Sequence, residues 1–532
     1  MAAAARAAAP IWTPTRSAAG RHSPWLIVAI ISIPTFMEVL DTAIANVALD
    51  HIGGSLSVTT DQATWVLTSY LVANAIVIPI SGWLSDAIGR KRYFLLSITL
   101  FTAASFLCGI APNLTTLVIA RVLQGIGGGG LAPVEQSILA DTFPPEKRGM
   151  AFAAFAIVVV VGPVLGPTVG GYIVEYASWH WVFLINVPVG IAAFFLVSAF
   201  VDEPEQVRLD RAERFKNGLT IDYVGVALVA LGLGFFEYTL DRGLREDWFA
   251  SPLIVTTAAI AAVSLVALVV WELNHDDPVI DLRLLKNRNF ALTILVMGVV
   301  GVILFGTTQL IPQFLQQSLG YSALDAGLAL TFGGIATLVA VPIAGRLTGL
   351  VDVRMLLFPA LIVQALALWH MSGFTLDISF AHAATARLLQ AMTLPFLFVP
   401  INAIAYVGLK QTQTAQASGL LNVARNLGGS IGIATSQTML ANGIQRHQGE
   451  LVQRLNPLDP NYTDWMSRAA GAFGGGDRTA LAVLYGQVQR QAAMLSFLDV
   501  FVGLMTIVLC VAPVVLFMRS GKTGGAPAGG AH

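Results

Sequence analysis

Asp41 and Arg121 are opposite charges placed inside apolar stretches of the chain. Asp41 lies eight residues before the end of the apolar stretch 25–49, and Arg121 lies seven residues after the start of the stretch 114–140. If both stretches are helices, both residues lie on the order of 10 Å from the same end, and they could pair if the two helices are neighbours. A charge at such depth costs about 2.5–3.5 kcal/mol in a membrane, so it indicates function. We predict that such a pair would couple proton uptake to a conformational change.

Two further acidic residues extend this prediction. Glu38 lies one turn before Asp41 on the same helix face, and Glu135 lies near the face that carries Arg121. Either acid could relay the proton, and Glu38 could also contact a cationic substrate. The alternative is that these charges form static buried pairs that only orient helices. Arg387 repeats the position of Arg121 later in the chain without an evident acidic mate.

The composition requires a lipid environment. The 532 residues are 55% hydrophobic and 11% charged, with a mean hydropathy of +0.72. Soluble proteins carry about 25% charged residues. The net charge of −1 gives no field that would attract nucleic acid. Cys108 and Cys510 lie in separate apolar stretches and the eight histidines are scattered, so we expect no disulfide, metal, cofactor or enzyme active site.

A bilayer-spanning helix needs about 20 mostly apolar residues. The chain contains fourteen such stretches, near 25–49, 64–84, 93–111, 114–140, 150–174, 181–201, 221–240, 252–271, 290–315, 323–345, 355–372, 381–407, 416–440 and 495–517. Lys and Arg concentrate in alternate short connections, which places both termini in the cytoplasm. The sequence thus predicts an all-α, multi-pass membrane protein with fourteen spans.

An internal repeat divides these spans. Gly345 follows Gly82 by 263 residues in a similar Pro-Ile-x-Gly context, and Arg387 follows Arg121 by 266 residues. Two related halves around a site near the midplane are typical of secondary transporters. The predicted organisation is an N-terminal cytoplasmic segment, a first six-helix half, linkers with an inserted helix pair, a second six-helix half that includes a long periplasmic loop (441–493), and a disordered cytoplasmic tail. The respective boundaries are 1–24, 25–201, 202–289, 290–517 and 518–532.

Two motifs add detail. The first is a loop after the second span that would let helix ends turn and carry charged contacts to close the cytoplasmic side. Its residues are Gly82, Asp86, Gly89, Arg90 and Lys91. The second motif, in the fifth span, has glycines four residues apart for close helix packing and prolines that should bend the helix. Its residues are Gly162, Pro163, Gly166, Pro167, Gly170 and Gly171.

The first motif resembles the signature loop of the major facilitator superfamily, and the second resembles the antiporter motif of its drug exporters. With fourteen spans, the chain is similar to the fourteen-helix drug:proton antiporters. The resemblance implies two six-helix halves plus an inserted helix pair. It also implies export of hydrophobic small molecules across a bacterial inner membrane in exchange for protons, with a periplasmic membrane-fusion adaptor and an outer-membrane channel as partners of a tripartite pump.

A substrate cavity should lie between the two halves near the midplane. Its predicted lining combines aromatic with polar side chains, namely Phe305, Phe396, Asn74, Gln124, Gln309 and Asn402. A mostly apolar cavity of this kind would accept many shapes. An exporter of one fatty acid, siderophore or metabolite is the main alternative, and a proton-coupled importer or a membrane-embedded enzyme are the others.

Overall fold

The structure is a computed structural model that describes residues 23–203, 208, 222–473 and 476–518. The predicted cytoplasmic leader and C-terminal tail fall almost entirely outside these residues, as does much of the linker that precedes the inserted pair. Within the described ranges the secondary structure is helical and contains no strand. The superfamily resemblance predicts an all-α architecture of this kind.

The α-helices, numbered in chain order, group into two halves and an intervening pair. The first half contains α1 (Pro24–Ser55), α2 (Thr60–Ala63), α3 (Trp65–Ile88), α4 (Arg90–Gly109), α5 (Leu114–Gly128), α6 (Leu131–Thr142), α7 (Pro145–Tyr176), α8 (His180–Leu184) and α9 (Asn186–Phe200). The pair is α10 (Tyr223–Arg242) and α11 (Pro252–Asn274). The second half contains α12 (Arg288–Gln317), α13 (Ala323–Leu350), α14 (Val353–Met371), α15 (Phe380–Ala405), α16 (Thr414–Arg454), α17 (Pro460–Phe473) and α18 (Gly476–Leu516).

Most predicted spans coincide with long apolar helices. In the described part of the chain, twelve helices are long and apolar enough to cross a membrane, or thirteen when the bent helix α7 is included. Helix α7 bends by 42° between Pro163 and Thr168, where its two prolines predict a bend. The predicted span 416–440 lies within α16, which is helical but is not among the apolar helices of this set. The count of fourteen therefore stays a prediction.

The segment 441–493 differs from the predicted loop. Helix α16 continues to Arg454, α17 follows, and α18 begins at Gly476, so most of the segment is helical. Arg490 of α18 donates from Nε to the carbonyl of Ser318, just after the end of α12, at 2.7 Å. From this level, α18 extends 14 residues to Gly476, which is about 21 Å of helix. Sequence reasoning assigned a loop because the segment is polar.

The internal repeat is visible in how the two halves meet. A Cβ built on Gly82 of α3 would lie 2.9 Å from the carbonyl oxygen of Ala415 on α16. A Cβ on Gly149 of α7 would lie 2.7 Å from the carbonyl oxygen of Gly345 on α13. Residues 82 and 345 are 263 positions apart, and residues 149 and 415 are 266 apart. The two crossings are therefore repeat-related and bring the helix backbones of opposite halves into contact.

The inserted pair contacts both halves. On the first half, Thr68 Oγ1 of α3 donates to Asp241 Oδ2 of α10 at 2.6 Å. On the second half, Ser430 Oγ of α16 donates to Glu237 Oε1 of α10 at 2.7 Å. The inserted helices thus lie against the seam between the halves, as an added layer on one side of the bundle.

Candidate functional site

Asp41 and Arg121 form a buried ion pair. Arg121 Nη1 donates to Asp41 Oδ2 at 2.6 Å, and both side chains are inaccessible to solvent. The pair joins α1 to α5. Arg121 Nε also donates to the carbonyl of Val66 on α3 at 2.9 Å, and its guanidinium carbon lies 4.2 Å from the centre of the Tyr70 ring. The two charges compensate each other and draw three helices of the first half together.

Amide side chains complete this network. Asp41 Oδ1 accepts from Gln124 Nε2 at 3.0 Å and from Asn186 Nδ2 at 2.7 Å. Both amides also donate to Ser105 Oγ, at 3.2 and 3.1 Å respectively. Sequence analysis assigned Gln124 to the substrate cavity, whereas the structure places it in the buried network. It missed Asn186 and Ser105, because a lone Asn or Ser in a long chain gives no signal of its own.

Glu38 occupies a different environment from Asp41, although one helical turn separates them. It is partly exposed, while Asp41 is buried. Its Oε1 accepts from Tyr70 Oη at 3.3 Å and from Asn74 Nδ2 at 3.2 Å. Arg425, which lies on α16 in the second half, is the positive charge that acts on it electrostatically. Glu38 therefore borders the space between the halves and Asp41 lies behind it.

Glu135 is separate from both. It is fully buried on α6, and its Oε1 accepts from Ser32 Oγ of α1 at 2.6 Å. Within the described part of the chain, its other carboxyl oxygen is buried and accepts no hydrogen bond. The four predicted proton-coupling residues thus occupy α1, α5 and α6, and only Asp41 and Arg121 contact each other directly.

The glycines of α7 let this helix pack closely on α1. A Cβ on Gly166 would lie 2.3 Å from the Cβ of Ala43, and one on Gly162 would lie 2.6 Å from Val39 Cγ1. Ala43 is two residues from Asp41. The second motif predicts close packing, and α7 packs in this way against α1, the helix that carries Asp41. The position of α7 therefore affects where Asp41 lies.

The end of the bundle that holds residues 82–92 is closed. Across the halves, Phe152 stacks on Tyr406 with ring centres 5.4 Å apart, in addition to the glycine crossings. Arg90 forms an ion pair with the buried side chain of Asp141 on α6, while Asp86 lies 3.9 Å from Arg90. Thr414 Oγ1, from the second half, donates to Asp141 Oδ1 at 3.1 Å.

These contacts revise the role predicted for the loop. The prediction joined Asp86 to Arg90, whereas the structure adds Asp141 as the acid that contacts both Arg90 and the second half. Gly89 adopts a φ of 104°, which a residue with a side chain rarely does, and so allows the turn between α3 and α4. Lys91 Nζ donates to the carbonyl of Ser198 within the first half, at 2.8 Å.

Replacing Asp141 should loosen this end of the bundle. Asp141→Asn replaces the acid that joins Arg90 to the second half with a neutral side chain, so the closed arrangement loses a charge-assisted contact. Ala415, which is 2% exposed, reports on the opening when it is replaced by cysteine in a chain without Cys108 and Cys510. We expect the cysteine at 415 to react with a maleimide severalfold faster in Asp141→Asn.

The matched control is Glu146→Gln, which removes an exposed acid at the same end of the bundle. It should leave the maleimide rate at 415 unchanged. Equal rates in the Asp141 variant and its parent would show that this ion pair does not hold the end closed.

The predicted cavity residues are not all equivalent. Gln309 is exposed, and Phe305 and Phe396 are partly exposed. Asn402 is fully buried and donates to the carbonyl of Phe398 at 2.8 Å, and Asn74 is 6% exposed. The side chains of Gln309, Phe305 and Phe396 are thus accessible. Those of Asn402 and Gln124 are buried among the helices and donate hydrogen bonds there. Their contact with a substrate stays a prediction.

A sequence comparison decides the family. The family model described as Major Facilitator Superfamily matches residues 31–433. The chain belongs to the major facilitator superfamily. It is a multi-pass membrane protein of a transporter family, and groups there with EmrB-type proteins.

Two of its curated relatives match over nearly their whole length. The chain is 37% identical over 508 residues to "Multidrug export protein EmrB" of Escherichia coli strain K12, covering 95% of this chain and 98% of that one. It is 34% identical over 513 residues to "Fatty acid resistance protein FarB" of Neisseria gonorrhoeae, covering 96% and 99%. The solved structure of the proton:xylose symporter XylE aligns with a TM-score of 0.60 at 13% identity, covering 94% and 97%. At that identity the likeness concerns the fold alone.

Proposed function

We propose that this protein is a proton-driven exporter of hydrophobic drugs or toxic compounds. The observation that carries the proposal is the near full-length match to multidrug export proteins at 37% identity. Small-molecule substrates follow from that family. The buried Asp41–Arg121 pair supplies a place where one proton changes the local charge, which an exporter driven by a proton gradient requires.

The proposed cycle uses the two acids of α1 in sequence. Glu38 borders the space between the halves, so it can exchange protons with water or contact a cationic substrate. A proton that reaches Asp41 neutralises its charge and releases Arg121 from the ion pair. Asp41 is the central acceptor of the buried network that also contains Arg121, Gln124, Asn186 and Ser105. Once it is neutral, the helices that this network joins can move relative to one another. Glu135, bonded to α1 through Ser32, is a second carboxyl group that this movement would affect.

The cellular setting is part of the same proposal. The distribution of Lys and Arg supports an orientation in which the loop 82–92 and both termini face the cytoplasmic side of a bacterial inner membrane. The helices α16 to α18 then extend into the periplasm, where a membrane-fusion adaptor could dock on them and connect to an outer-membrane channel. The closed end described above would be the cytoplasmic one.

A dedicated fatty-acid exporter is the second candidate. The 34% identity to FarB, over almost all of both chains, supports it. The two candidates differ in how many chemically unrelated compounds the protein accepts.

Reconstitution in liposomes separates them. We expect unrelated hydrophobic compounds to drive proton movement across liposomes that contain the protein and an imposed pH gradient, as measured with an internal pH dye. Proton movement with fatty acids alone would favour the dedicated exporter. An absence of substrate-dependent proton movement with every compound would refute proton-driven export.

A further inference from the structure

The loop 243–251, which joins the two inserted helices α10 and α11, lies at the end of the bundle opposite to the closed one. It contacts Thr64 just before α3, and Gly82 of the closed end lies 18 residues later, about 27 Å along that helix. It also contacts Thr438 of α16, which lies 23 residues, or about 34 Å, after Ala415. The loop is therefore placed where the two halves must change their separation when the closed end opens.

One side of this loop is attached to the first half. Arg245 Nη1 donates to Thr64 Oγ1 at 2.7 Å. The guanidinium carbon of Arg242, the last residue of α10, lies 4.6 Å from the centre of the Trp65 ring on α3. Because Asp241 also bonds to α3, the end of α10 and the start of the loop are held on the first half by several contacts.

The other side reaches the second half through an indole. Trp248 Nε1 donates to Thr438 Oγ1 at 3.1 Å. The hydroxyl hydrogen of Thr438 is used within α16, in a bond to the carbonyl of Ala434 at 2.8 Å, which leaves its oxygen as the acceptor for the indole. The amide of Trp248 donates to the carbonyl of Gly243 at 2.7 Å, and a Cβ on Gly243 would overlap the indole ring. The loop thus holds the indole in a fixed direction toward α16.

The backbone that presents this indole is strained. Asp247 and Trp248 have φ values of 55° and 51°, in the left-handed region that residues with a Cβ rarely adopt. Such a conformation persists only where surrounding contacts hold it, and it is common in segments that switch between two arrangements. A hydrogen bond of 3.1 Å also tolerates a displacement of only a few tenths of an ångström. Both features indicate a contact that breaks when the halves move.

We propose that the loop 243–251 is a latch between the two halves and that Trp248 is its positioning residue. The bond from Trp248 to Thr438 is made while the end near residues 82–92 is closed, and it breaks when that end opens. The inserted pair then stays with the first half through its contacts with α3. The latch thereby sets the relative populations of the two states. It requires only that the halves rock, and so goes beyond the cargo and the coupling ion proposed above.

The test measures how often the closed end opens in the purified full-length protein in neutral detergent. The reporter is Ala415→Cys in a chain without Cys108 and Cys510, and the readout is its rate of reaction with a maleimide. Trp248→Phe keeps an aromatic ring but removes the donor. We expect the reaction to become about fivefold faster, which corresponds to about 1 kcal/mol for one hydrogen bond. The reporter is about 34 Å along α16 from the latch, so a local disturbance of the loop would not change this rate.

The partner substitution and its control lie on α16. Thr438→Val removes the acceptor and leaves the loop unaltered, so it should produce the same acceleration. The combination with Trp248→Phe should react no faster than either single variant, because both remove one contact. Thr435→Val is the matched control, since its hydroxyl is exposed and bonds to the carbonyl of Ile431 in its own helix. It should leave the rate unchanged.

An unchanged rate in Trp248→Phe or in Thr438→Val would overturn the proposal. Additive effects of the two substitutions would also overturn it, since the two side chains would then act separately. If Trp248→Phe fails to fold, Thr438→Val and its control decide the matter. The measurement needs neither substrate nor proton gradient. Liposomes without substrate-dependent proton movement would therefore refute the proposed function, while the maleimide rates would still decide the role of the latch.

Discussion

Asp41→Asn should reduce substrate-dependent proton movement in liposomes to the level of protein-free vesicles. The asparagine keeps the shape and hydrogen bonds of Asp41 but cannot take up the proton. Because the substitution also leaves Arg121 buried without a counter-charge, we expect a loss of stability of about 3–5 kcal/mol. The measurements are the internal pH signal with a saturating hydrophobic cation, and the midpoint of thermal unfolding in detergent.

The double variant Asp41→Asn with Arg121→Gln separates coupling from stability. Removing both charges relieves the uncompensated guanidinium, so much of the lost thermal stability should return while proton movement stays absent. Asp477→Asn is the matched control, because that aspartate is exposed at the start of α18. Restored proton movement in the double variant would assign the pair a purely structural role.

Gly166→Ala should impair both stability and transport. The added methyl group would lie 2.3 Å from Ala43 Cβ, and its three nearest heavy atoms all belong to Ala43, which has no flexible side chain that could give way. Overpacking of this kind costs about 1–3 kcal/mol. Displacing α1 also moves Asp41, two residues away, so we expect transport to fall by about tenfold. Thermal unfolding and the liposome assay measure the two effects.

Gly171→Ala is the control for this substitution. It lies five residues further along α7, and a Cβ there meets no atom within 4 Å. We expect a change within about 0.5 kcal/mol and normal transport. Similar effects at positions 166 and 171 would show that glycine matters for the bend of α7 rather than for packing on α1.

The sequence predicted the helical architecture well, since long apolar stretches in a chain with 11% charged residues leave few alternatives. Depth along two helices can be counted from their ends, so the sequence also predicted that Asp41 and Arg121 lie at one level. Their pairing, which the structure shows, followed only with the family resemblance, which implies that the two helices are neighbours. The glycine spacing correctly indicated close packing but could not say that α1 is the neighbour. That depends on which helix faces which, and spacing within one helix holds no such information.

Other features of the structure could not be predicted from the sequence, for physical reasons. Asp141 and Asn186 act through contacts with residues from distant parts of the chain, and neither lies in a recognisable pattern. The segment 441–493 is polar, and polarity distinguishes membrane from water rather than helix from loop. Gln124 lies at the depth expected for a cavity residue, but its side chain contacts Asp41 instead. The depth of a residue along its helix can be predicted from the sequence. The direction in which its side chain points within the bundle depends on how the helices pack.

Helix α18 has the geometry of a lever. From the level of Ser318, which follows the membrane-spanning helix α12, α18 extends about 21 Å to Gly476, while the hydrocarbon core of a bilayer reaches only about 15 Å from its midplane. If the second half rocks about a pivot near the midplane, the tip at Gly476 travels roughly twice as far as a residue at the membrane surface. A partner seated on the tip would thus sense each transport step as an amplified displacement.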